Sequence, residues 1–157
     1  MKRLPRFNVY KKSGAMQFSL IPAQDVANNE FELQKGCVML EMTNATGEKS
    51  SNGLATYDWS REKKIAMKLS DVDLQQILRG FGTGKAEILH DPAKANGGAG
   101  GAGGGLKKSL QISKAPQSGF YVQMRFGEQV AKCSLSDDEV LTLRILLSRA
   151  IARIYGW

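Results

Sequence analysis

Leu69-Ser70-Asp71 and Leu135-Ser136-Asp137 are the same tripeptide, and each stands where a strand-like stretch gives way to a helical one. Serine caps a helix N-terminus by accepting a backbone N–H, and an acid in the first turn is favoured by the helix dipole. Ser70 with Asp73 and Ser136 with Glu139 both have the spacing of a capping box. Upstream of each copy lie several short strand-like segments. The chain therefore reads as two related halves, each a set of strands followed by one helix.

Before the first copy, Ile65, Met67 and Leu69 alternate with Lys64, Ala66 and Lys68, which predicts a strand over residues 64–69. Residues 54–59 predict another, and the apolar run 37–42 a third that is largely buried. A long strand is expected over 9–21, with Met16, Phe18 and Leu20 set against Gln17 and Ser19, and Pro22 ending it. Residues 25–30 and 46–53 read as loops. The first helix is expected over 71–81, where Val72, Leu74, Ile77 and Leu78 have helical spacing and Gly80 and Gly82 suit its end.

The second half repeats the plan with strands over 86–89, 106–112, 119–126 and 129–134, then a helix from 137 to about 155. Between the first two strands, residues 97–105 hold seven Gly and two Ala. Such a tract has high backbone entropy and few side chains to bury, so it predicts a flexible loop. A phosphate cradle would need to open a helix, and Gly103 to Lys108 leads into a strand.

At 157 residues and 42% hydrophobic content the chain predicts one α+β domain, with residues 1–8 as a basic arm. No apolar stretch approaches the length of a membrane span, so a soluble protein with no membrane partner is expected. Cys37 and Cys133 form no Cys-x-x-Cys, which leaves no ligand set for zinc and predicts buried, reduced thiols. The basic start lacks the apolar core of a secretory signal. Net charge is +7, and residues 1–12 hold five cations and no acid. A basic arm attracts a polyanion, although the same charges also describe a solvated tail.

One histidine, His90, is all that acid–base chemistry could draw on, and His-Asp-Pro is a turn signal. The acid pairs Asp71 with Asp73 and Asp137 with Asp138 begin helices. No dinucleotide fingerprint or metal loop is present, so the sequence predicts no enzyme and no cofactor. The last helix is too apolar for a single packed face: Leu141, Ile145 and Leu146 accompany Val140, Leu143 and Leu147. Either another subunit covers it or its own two sheets enclose it.

Strand parity separates Phe120, Val122, Met124 and Phe126 from Tyr121, Gln123 and Arg125. By the same parity Lys64 and Lys68 oppose an apolar face, as do Lys11, Lys107 and Lys132. Cations that follow a backbone beside aromatics that offer stacking faces make up a single-strand binding surface, while ordinary solvent-facing polarity has the same appearance. Tyr57 and Trp59 could serve either as stacking rings or as core.

Tyr57-Asp58-Trp59-Ser60-Arg61, His90-Asp91-Pro92, Lys108-Ser109-Leu110, Gly119-Phe120 and the closing Ile154-Tyr155-Gly156-Trp157 resemble, in order and spacing, the Whirly single-stranded nucleic-acid-binding proteins. The resemblance covers residues 55–157 and, more weakly, 9–20. It implies a duplicated ββββα unit, two four-stranded antiparallel sheets, and helices that mediate a tetramer. The nucleic-acid-binding set it implies, together with the parity reading, is Lys11, Lys12, Tyr57, Arg61, Lys64, Lys68, Lys107, Lys108, Tyr121, Arg125 and Lys132.

Plant Whirly proteins carry Lys-Gly-Lys-Ala-Ala-Leu where this chain has Lys11-Lys12-Ser13-Gly14-Ala15-Met16. With the basic arm and the glycine tract, that difference makes the chain most similar to the relatives in kinetoplastid mitochondria. The resemblance then implies guide-RNA binding through electrostatic, sequence-independent backbone contacts on the sheet faces, annealing to messenger RNA during uridine editing, a homologous partner chain in a hetero-tetramer (or self in a homo-tetramer), and a mitochondrial location. Two other readings stay open: an organellar single-stranded-DNA binder in transcription or genome maintenance, and a subunit-assembly module whose lysines only solvate it.

Overall fold

The computed structural model describes residues 3–92 and 105–157; most of the glycine tract lies outside them. Two antiparallel sheets, each a meander followed by a helix, share one core. In the first half these are β1 (Arg6–Tyr10), β2 (Gly14–Ile21), β3 (Gln24–Val26), β4 (Asn29–Gln34), β5 (Cys37–Lys49), β6 (Ala55–Tyr57), β7 (Ile65–Leu69) and α1 (Asp71–Thr83). The second half holds β8 (Lys85–His90), β9 (Lys108–Lys114), β10 (Phe120–Phe126), β11 (Gln129–Leu135) and α2 (Asp137–Ile154).

β1, β2, β5 and β7 pair in that order, and β6 joins the far end of β5; β8 to β11 pair consecutively. The expected ββββα duplication is thus the fold. The long strand expected over 9–21 is instead a hairpin, because Lys11 N–H bonds to the Gly14 carbonyl at 2.9 Å and reverses the chain. Residues 25–30 are no loop but most of a second hairpin, β3–β4, turned at Ala27-Asn28, with Asn28 in the left-handed region (φ 68°) that its side chain tolerates. β5 runs on to Lys49 through the stretch expected to be a loop, since β6 pairs with it there.

Both helices start as the repeat requires. Ser70 Oγ accepts the Asp73 N–H and Asp73 returns a bond to Ser70 N–H; Ser136 and Glu139 do the same. α1 runs two residues past the expected end and stops at Gly84, whose φ of 92° suits the left-handed cap. Gly80 serves a different purpose: a Cβ there would lie 2.4 Å from the Ala86 Cβ, so its absence lets α1 settle on β8.

Inner-face parity builds the core. Rows such as Val9, Met16, Met42 and Ile65 in the first sheet, and Ala86, Ile112, Val122 and Cys133 in the second, are all buried. Leu74 and Ile77 of α1 and Leu143, Leu147 and Ile154 of α2 complete it; full burial of each such side chain contributes about 1.5–3 kcal/mol. Cys37 and Cys133 are buried and free, and burial pushes the Cys133 thiol up to about 11.

The second sheet docks edge-on against the first at Gly14 and Asn44. The Asn44 side chain donates to the Val130 carbonyl at 2.7 Å and accepts the Lys132 N–H at 2.9 Å, so one amide closes the outer edge of β11. Gly14 makes the approach possible, because a Cβ there would sit 2.2 Å from the Lys132 carbonyl oxygen.

Candidate nucleic-acid interface

Outward parity in the second sheet sets side chains in three rows, given by the pairing register across β11, β10, β9 and β8. The rows are Ser134-Tyr121-Ser113-Lys85, Lys132-Gln123-Gln111-Glu87 and Val130-Arg125-Ser109-Leu89. Each strand contributes alternate residues because its other parity is committed to the core. The result is an open platform with a cationic side at Lys132 and Arg125, one ring, Tyr121, at 55% exposure, and a floor of small hydroxyl and amide side chains. The Gln123 amide, oriented to satisfy both its ends, accepts Arg125 Nε–H at 2.8 Å and so fixes the guanidinium over the sheet. A hollow lined by Ser13, Tyr121, Gln123, Lys132 and Ser134 leads from the platform to the β1–β2 turn, where Lys12 is exposed.

The first sheet presents a different outer face. Ala15 and Thr43, although outward by parity, are buried, and the Thr43 hydroxyl donates to the carbonyl of Asp58, in the segment after β6, at 2.7 Å. Asp58 is itself fixed by the Ser60 N–H, whose bond lowers its carboxyl pKa. In the centre of that face Glu41 accepts from Gln17 at 2.9 Å and pairs with Lys64. An acid at this position neutralises the cation that parity alone would offer to a ligand.

Of the residues the sequence singled out, Tyr121, Arg125 and Lys132 share the platform, with Lys12 beside it. Lys64 and Lys68 lie on the other sheet; Lys68 is exposed and Lys64 is held by Glu41. Lys107 stands 3.4 Å from Asp91, and Arg61 is exposed on the segment between β6 and β7. Three more are also held by contacts within the chain. Lys11 Nζ is 2.8 Å from Glu139 Oε1, Tyr57 donates its hydroxyl to the Lys11 carbonyl at 2.6 Å, and Lys108 has inner parity. Its ammonium donates to the Ala66 carbonyl at 2.8 Å and sits over the Phe126 ring. Trp59 is half-buried. His90, at the end of β8, bonds through Nε2 to Asp73 at 3.0 Å, in keeping with a strand-end residue.

Lys85, Glu87, Gln111 and the three serines of the platform were missed by a reading that sought cations and rings. For Lys85 and Glu87 the signal was the alternation of Lys85, Glu87 and Leu89 with Ala86 and Ile88, which a strand begun one residue earlier displays. Among the described residues no group of three or more His, Cys, Asp and Glu side chains gathers as a metal site, and no helix is long and apolar enough to cross a membrane.

Two meanders share a core, and the second of them presents an open basic and polar face. Residues 9–148 match the family model described as Whirly transcription factor, and the chain belongs to the Whirly family. Solved structures agree in fold. The plant transcriptional regulator PBF-2 superposes with a TM-score of 0.79 at 22% identity, covering 100% of this chain and 93% of that one. WHY3 from Arabidopsis thaliana gives 0.75 at 20% identity (100% and 92% covered), and WHY1 from the same plant 0.76 at 18% (100% and 88%). Among curated proteins no sequence match is found.

Proposed function

We propose that the protein binds single-stranded nucleic acid on the outer face of its second sheet, as Whirly proteins bind single strands. The observation that carries this is the platform itself: among the described residues Lys132 and Arg125 pair with no carboxylate, and they stand beside an exposed Tyr121 on the face that helices and loops leave uncovered. The cations neutralise phosphates as the backbone crosses, and the ring stacks one base. No bond is made or broken.

RNA is the strand we favour, because the floor is built from Ser109, Ser113, Ser134, Gln111 and Gln123. Hydroxyls and amides bond a ribose 2′-hydroxyl, which is the group that separates RNA from DNA at a given site. Holding a strand by its backbone leaves most bases free to pair, which is the physical requirement for annealing a guide RNA to a messenger RNA in mitochondrial editing. Anisotropy titrations with matched RNA and DNA strands over a range of salt test the choice. RNA binding several-fold tighter than DNA supports it; equal or tighter DNA binding assigns the protein to single-stranded-DNA maintenance or transcription instead.

Oligomerisation is part of the same proposal. Leu141, Ile145 and Leu146 form an exposed apolar stripe on α2, next to an apolar groove lined by Pro5, Phe7 and Leu143. Covering the stripe with α2 of other subunits gives the tetramer and leaves the platforms outward. A homologous chain or a second copy would both fit.

A further inference from the structure

We infer that the platform reads a base as well as a backbone: the Glu87 carboxylate and the Gln111 amide form an acceptor–donor pair for the Watson–Crick edge of guanine. This rests on the strand-binding reading above and adds a specificity to it. The starting point is an anomaly. A face that only tracked phosphates would gain nothing from a carboxylate in its middle row, because the like charge repels the ligand it is meant to hold. On the first sheet the acid of the outer face, Glu41, is neutralised by Lys64. Glu87 is exposed and, among the described residues, has no ion pair; the Gln111 amide reaches its Oε1 at only 3.4 Å, the long limit of a hydrogen bond. Lys85, two residues away on the same strand, does not bond it.

Chemistry restricts what such a carboxylate can take from a nucleic acid. An ionised carboxylate accepts hydrogen bonds only, and phosphates and riboses offer it few or no donors. Base edges do: guanine presents N1–H and N2–H side by side, which both carboxylate oxygens can accept at once, in the charge-assisted geometry that makes such pairs strong. Uracil offers one donor on that edge, and adenine and cytosine offer an amino group beside an acceptor that the carboxylate would repel. Gln111 adds what the carboxylate lacks, an amide N–H directed at the guanine O6.

The row supplies the placement. Across Lys132, Gln123, Gln111 and Glu87 charge runs from cation to anion, and Lys132 and Gln111 are two strand spacings apart, roughly 10 Å. A nucleotide spans that distance from phosphate to base edge. With its phosphate at Lys132, its base lies over the row, and the serines on the neighbouring rows keep the floor low enough for the ring to descend to Gln111.

The test uses the full chain and short RNA strands: one of uridines, one with guanosines at its centre, and one with inosines there, which lack the 2-amino group. Guanosine is expected to tighten binding roughly tenfold over uridine, as a two-bond base contact does, and inosine to forfeit most of that gain. Glu87→Gln should abolish the preference while uridine-strand affinity holds or rises, because a repelling charge is gone; that affinity also reports an intact fold. If the uridine strand binds with a normal salt dependence but guanosine adds nothing, or if Glu87→Gln keeps the preference, this inference is overturned and the strand-binding reading stands. If no strand binds in a salt-dependent way, both fall.

Discussion

Lys11 Nζ lies 2.8 Å from Glu139 Oε1, so the turn between the first two strands is tied to the residue that closes the cap of the last helix. The two sequence features that first suggested a basic surface and a duplicated fold are thus in contact. The lysine joins the two halves of the molecule, leaving the platform to other cations. Tyr57 reinforces the turn from the other side by bonding the Lys11 carbonyl.

The Glu139 carboxyl should make the pair's contribution pH-dependent. Burial acts to raise the Glu139 carboxyl, but the Lys11 ammonium and the Ser136 N–H outweigh it and hold the folded value below the ordinary 4.5. A depressed folded value means that the stabilisation is present above the unfolded value and lost as pH falls through the folded one. Lys11→Met should cost about 0.5–1 kcal/mol at neutral pH, and less at pH 3. Urea unfolding at both values checks this; an equal cost at the two would contradict the pairing.

Gly14→Ala should be worse than its size suggests. The new methyl would meet the Lys132 and Thr43 carbonyl oxygens at 2.2 and 2.8 Å, where the two sheets dock. Overpacking of this kind costs about 1–3 kcal/mol, read as a lower urea midpoint. Gly47→Ala, with open space around it but a φ of 86°, should show only the smaller cost of its backbone conformation.

Ile145→Asp should break the proposed assembly and spare the fold. Ile145 is 55% exposed on α2, so a charge there meets water in one chain and is buried unpaired in a tetramer. Sedimentation should shift towards smaller species while circular dichroism is unchanged. A wild-type protein that sediments as a monomer at micromolar concentration would remove the assembly proposal.

Ser70→Ala and Ser136→Ala should each cost about 1 kcal/mol, because each removes one half of a reciprocal cap whose N–H groups then lose their partner. Thermal unfolding checks the two costs, and similar losses are expected because the two junctions have the same bonds.

How far the sequence could be read depended on which interactions decide each element. The caps, the meanders and the inner faces follow local rules, and Ser70, Ser136 and the alternation in β7 and β10 announced them. Tertiary contacts decided the rest. The hairpin at Lys11 to Gly14 and the extension of β5 depend on pairings with residues distant in the chain, so alternation alone ran the first pair together and cut the other short. The candidate platform was half legible for the same reason. Parity put Tyr121, Arg125 and Lys132 on one outer face, where the structure has them, but no local pattern could show that Glu41 would neutralise Lys64, or that Lys108 would reach the Ala66 carbonyl.

The central claim is that the second sheet, and not the first, carries the strand. Titrating a fluorescent single strand at several salt concentrations against wild type, Arg125→Ala/Lys132→Ala and Lys64→Ala tests it most directly. Each phosphate contact contributes about 0.7 to the slope of log affinity on log salt for a single strand. The platform pair should therefore flatten the slope by about 1.4, while Lys64→Ala leaves it near wild type. An unchanged slope in the platform variant, or a larger loss from Lys64→Ala, would place the strand on the other face and contradict the account.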